Sequence, residues 1–172
     1  MTVIWLLMAM ASALAPASDA KPPAQAARGQ VMFFDENVVM HCGVCHSLGG
    51  KGTAVGPDIS RLARLNARAI VMAIRATRTQ YVQVIKLKAG GEFPGMPAAK
   101  DNKTLRYYDV SSTPPVLRTL EQKDVASIGD NATWKHPPES AGYTAQQLAD
   151  VIAYIKWASY GDTKGVNPDD IE

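Results

Sequence analysis

Six consecutive residues, HCGVCH at positions 41–46, hold the chain's only two cysteines and two of its three histidines. Three chemistries use such a set. His41, Cys42, Cys45 and His46 could bind zinc, but adjacent side chains diverge, and structural zinc sites usually draw a second ligand pair from a distance. The sequence offers no second Cys pair and no His-x-x-x-His. Cys42 and Cys45 could form a redox dithiol, but that motif opens a helix after a strand. Here a helical pattern precedes it and a Gly-rich stretch, SLGGKGTAVGPD, follows. The third chemistry is haem attachment. Each sulfur adds to one vinyl group of the porphyrin, and the histidine next to the second cysteine binds the iron. C-x-x-C-H is the pattern of covalent haem c, and it is the reading the residues favour. Cys42 and Cys45 then carry the thioethers and His46 is the first iron ligand.

The rest of the chain fits one domain that must position this motif. It has 172 residues, 47% hydrophobic and 20% charged, enough to bury a core without disulfides. A formal charge of +2 with dispersed Lys and Arg excludes a nucleic-acid footprint. Val3 to Ala15 is an apolar run followed by small residues, too short for a membrane span. It reads as a signal peptide over residues 1–20, cut after Ala20, with residues 21–172 as the mature domain in the periplasm. No membrane contact is expected unless the leader, which lacks a basic n-region, stays uncleaved. Export would oxidise a free C-x-x-C pair, and thioether formation removes that hazard.

Helical signals flank the motif. Ala24 to Phe34 reads as a first helix, with Gly29 a weak residue within it. Asp58 to Leu65 reads as a short helix, and Asn66 caps another in which Ile70, Val71 and Ile74 share a face. From Tyr81 the pattern turns extended, with strands at Tyr81–Lys88 and Thr104–Val110 and weaker ones at Val116–Leu120 and Asp124–Ile128. This predicts a small antiparallel β insert over about 81–128. A last helix starts at Thr144 with a capping box to Gln147 and a Tyr143–Leu148 staple. Leu148, Val151, Ile152 and Ile155 form its apolar stripe, and Gly161 ends it.

With Gly29, Phe33, CGVCH, the following GPD and the helix Thr144 to Trp157, the chain resembles class I cytochromes c. The resemblance implies a mainly α, helical domain around one haem, departing from the small soluble members by its β insert. It implies that the first and last helices cross at Gly29, with Tyr154 or Trp157 packed there. It implies that the carbonyl of Pro57 orients His46.

Electron carriers of this family have a second axial ligand. Met1, Met8 and Met10 lie in the leader, Met32 and Met72 on helices, and Met40 too near Cys42; His41 adjoins Cys42. Met96, in FPGMPA, and His136, in TWKHPPES, remain. Met-Pro is a familiar ligand setting, but the family's ligand arrives just before the last helix, where His136 stands. Position therefore favours a His46/His136 pair; Met96 and an open site are the alternatives. Trp134 could line the pocket. The implied function is single-electron transfer between redox proteins, with a periplasmic dehydrogenase as one such partner, rather than catalysis. A haem enzyme or gas sensor with a displaceable sixth ligand is the alternative.

Overall fold

The computed structural model describes residues 21–37, 41–75, 81–136 and 143–171. Residues 1–20, expected to be a signal peptide, and Met40, Arg78 and Pro137 lie outside the described residues. Helix α1 spans Ala24–Phe33 and the last helix, α3, spans Ala145–Tyr160. The Thr144–Gln147 capping box is formed in both directions, and Gly161 closes α3 in the left-handed conformation at φ 69°. Helix α2, Ala67–Ile74, starts where Asn66 accepts the N–H of Ala69. The short helix after the motif is a 3-10 turn, Ile59–Arg64, capped by the Asp58 side chain.

Helices α1 and α3 cross with backbones in contact. A Cβ on Gly29 would overlap the carbonyl of Asp150. Phe33, 0% exposed, stands edge-on to Tyr154, with ring centres 5.7 Å apart. Burying that phenylalanine contributes about 2–3 kcal/mol. Arg28 grips Asp150 with two hydrogen bonds, 2.7 and 2.9 Å, and Gln146 adds a third. Leu148 and Ile152 form a second core with Ile70, Val71 and Ile171, and Tyr143 packs against it as the staple requires.

The fold is mixed α/β, which corrects the expectation of a mainly α domain. A two-residue hairpin, β1 (Ser47–Leu48) and β2 (Lys51–Gly52), follows the motif. A five-stranded antiparallel sheet then fills Gln83 to Asp130. Its strands are β3 (Gln83–Leu87), β4 (Glu92–Lys100), β5 (Thr104–Asp109), β6 (Val116–Glu121) and β7 (Val125–Asp130), in the order β6-β5-β4-β3-β7. The edge strands β6 and β7 are consecutive in sequence and joined only by the turn Gln122–Asp124. Ile85, Phe93, Leu105 and Tyr107 are buried together, with Leu87, Leu120 and Val125 against them. All five strands contribute, so the sheet curls around a core of its own. Alternating apolar and polar residues or a β-branched run would have announced such a strand; β4, EFPGMPAAK, has neither. Pro94, Gly95 and Pro97 hide it, yet Pro94 still gives its carbonyl to Val110 N–H (2.9 Å), and Pro97 stands at a bulge.

Two stability tests follow. Gly29→Val should cost about 3 kcal/mol and lower the thermal midpoint by roughly 10 °C, because the α1–α3 crossing cannot widen cheaply. Burial pushes the Asp150 carboxyl up, but hydrogen bonds from Arg28 and Gln146 and the Arg28 charge outweigh it and hold it below the usual carboxylate range. The unfolded chain therefore takes up that proton first as pH falls, and the contribution of Asp150 is lost on the acid side of its ordinary range. Denaturant titrations of the Asp150→Asn variant should show a weaker acid loss of stability than the parent.

Candidate functional site

The motif forms a tight turn. Cys42–Val44 is one turn of 3-10 helix, and the Cys42 carbonyl accepts the N–H of His46 at 2.9 Å and of Cys45 at 3.3 Å. The following Gly-rich segment folds back onto it. Thr53 N–H bonds Gly43 O at 2.9 Å, and Val55 and Gly56 N–H both bond Cys45 O, at 3.1 and 2.7 Å. Glycine is needed twice here: a Cβ on Gly43 would strike the Phe34 ring, and Gly52 sits at φ 89° against the His46 carbonyl.

His46 is held from behind. Its Nδ1–H donates to the Pro57 carbonyl at 2.7 Å, which leaves Nε2 as the free lone pair for a metal. Gly56 lies against the same ring, where a Cβ would come within 2.6 Å of Cε1. Asp58 secures the loop, accepting from Ser47 Oγ at 3.0 Å and from the amide and hydroxyl of Ser60. Burial raises its pKa, but these hydrogen bonds and the Arg61 charge win and lower it overall.

The two thiols face different cores. Cys42 packs on the helical cluster of Phe33, Leu48 and Tyr154, and Cys45 on a cluster of Val55, Val82 and Met96. Burial pushes the Cys42 thiol up to about 11 and raises Cys45 as well. These are not the acidified thiols of a dithiol redox centre. Among the described residues, no group of three or more His, Cys, Asp and Glu side chains could hold a metal ion by itself.

His136 arrives from the far side of the sequence. Its ring centre stands 6.1 Å from that of His46, with the planes 27° apart. Two metal–nitrogen bonds of about 2 Å, plus about 1 Å from each nitrogen to its ring centre, come to roughly 6 Å. Two imidazoles on opposite sides of one ion would show that spacing. Met96 sits instead in β4, 9% exposed, inside the apolar cluster with Val55 and Val82. Trp134 packs on that cluster and stands edge-on to His136, with ring centres 6.3 Å apart. The structure thus brings Cys42, Cys45, His46, Pro57 and His136 into one locality. Sequence reasoning missed Gly56 against the His46 ring; its place just before Pro57 was the available signal.

A helical crossing at glycine, a C-x-x-C-H turn and a carbonyl-tethered histidine define a haem-attachment domain. The cytochrome c family model matches residues 26–111, half of the chain, and the protein belongs to the cytochrome c family. Haem c, bound covalently, is its cofactor, and Cys42 and Cys45 have the spacing that attaches it. The match ends before His136 and α3. No curated protein matches the chain. No helix among the described residues is long and apolar enough to cross a membrane.

The residues present suit that group: two thiols one turn apart, an imidazole with its Nε2 free, and a second imidazole at the right separation. Gly56→Val should tilt the His46 ring and break its bond to Pro57. The fraction of purified chain carrying haem, read from absorbance per mass of protein, should fall about 10-fold.

Proposed function

We propose that this chain is an exported mono-haem cytochrome that passes single electrons between redox proteins, with His46 and His136 as the axial ligands of its iron. The 6.1 Å ring separation is the observation that carries the reading. Haem supplies the one-electron couple; the chain's own residues fix its ligands and exclude water. The tethered His46 cannot rotate without losing the Pro57 bond, so the proximal side stays constant whichever oxidation state the iron holds. Filling both faces with imidazole favours the ferric state relative to a Met/His pair and sets a lower potential. It also leaves no place for a small gas, which supports a carrier over a gas sensor or haem enzyme. Export is supported by the apolar run Val3 to Ala15, and a periplasmic dehydrogenase is the kind of donor the resemblance suggests.

The test compares three forms of the holoprotein. The parent should be low-spin in both oxidation states and inert to carbon monoxide. His136→Ala should become high-spin in the ferrous state and bind carbon monoxide. Met96→Leu should leave the spectrum as it was. A near-infrared charge-transfer band of a thioether–iron bond in the parent, lost in Met96→Leu, would transfer the ligand role to Met96. Ready carbon monoxide binding by the parent would favour the enzyme or sensor reading.

A further inference from the structure

How does a loop outside the helical core hold an imidazole in register with His46? The answer lies in the residues between β7 and His136. Strand β7 ends at Asp130, paired with Gln83 of β3. Asn131 then stops the strand with its side chain. Its Oδ1 accepts the N–H of Trp134 at 2.9 Å, the N–H of Thr133 at 3.3 Å and the hydroxyl of Thr133 at 3.1 Å. The turn folds Trp134 back onto the sheet, where it joins Val55, Val82 and Met96. Those three come from the loop after His46, from the approach to β3 and from β4. Cys45 packs on the same cluster. The Trp134 ring stands at 89° to the ring of His136.

We propose that Trp134 is the positioning residue for the distal ligand, and that the β insert serves as its mount. The proposal rests on His136 being that ligand. Trp134 bridges the cluster and the imidazole with one aromatic side chain. One end of it is locked into an apolar cluster shared with the attachment loop, and its ring flanks the imidazole two residues on. Movement of the sheet relative to the Cys45 loop is thereby coupled to His136. Met96 belongs to this mount as a packing partner of Trp134, which gives the buried methionine a role other than ligation. The sheet's own core, formed by all five strands, makes the mount rigid without help from the helices.

The experiment uses haem-loaded full chain and measures ferrous spin state, carbon monoxide binding rate and reduction potential. Trp134→Ala should populate a high-spin fraction and bind carbon monoxide about 10-fold faster than the parent, with the potential displaced. Trp134→Phe keeps an aromatic ring in the cluster and should restore low spin and slow binding. Should Trp134→Ala fail to fold, Asn131→Ala removes the turn's acceptor while leaving the cluster side chains intact, and should give the same signature in milder form. Fully low-spin, carbon monoxide-inert Trp134→Ala or Asn131→Ala protein, alongside a His136→Ala variant that has lost its sixth ligand, would overturn the mount and leave the ligand assignment standing. An unchanged His136→Ala spectrum would overturn both.

Discussion

Two imidazoles on opposite faces of one haem would stand with ring centres roughly 6 Å apart, and His46 and His136 stand at 6.1 Å. That constraint ties together parts of the chain with different architectures. His46 is fixed by the attachment turn and by the Pro57 carbonyl behind it. His136 hangs from the end of a sheet. An error on either side opens or closes the gap, so both supports must be stiff. The attachment loop achieves this through backbone hydrogen bonds and glycines that let it lie flat on itself. The sheet achieves it by wrapping a core that draws on every strand.

The helical half supplies the foundation. Helices α1 and α3 approach until Gly29 meets the Asp150 carbonyl, and the Arg28–Asp150 pair sits over the crossing. Phe33 and Tyr154 carry this packing to Cys42, while Cys45 faces the sheet-side cluster. The attachment motif therefore lies at the junction of the two halves. A haem bound there would be anchored through both at once, which suits a carrier whose ligand geometry must not change as electrons come and go.

Much of this was legible in the sequence. Caps are local chemistry, and Asn66, Thr144, Gln147 and Gly161 all mark helix ends as their types predict. Gly29 was legible because a glycine mid-helix needs a close neighbour. The attachment residues were legible from spacing alone. The bounds of the β layer, expected at about 81–128, were legible too, but its fifth strand was not. Strand β4 carries two prolines and a glycine, signals that normally end a strand, and tertiary pairing on both sides overrides them. With β4 unseen, the insert looked like scattered strands, and the domain looked mainly α. The role of Gly56 was marked only by its place before Pro57; its residue type alone does not say that a ring from ten residues earlier will lie on it.

Iron X-ray absorption of the purified ferric holoprotein tests the central claim most directly, since it counts the atoms bonded to the metal. The account predicts a first shell of nitrogen alone, four from the porphyrin and two from imidazoles. A sulfur scatterer in that shell, or a shell of only five atoms, would contradict it.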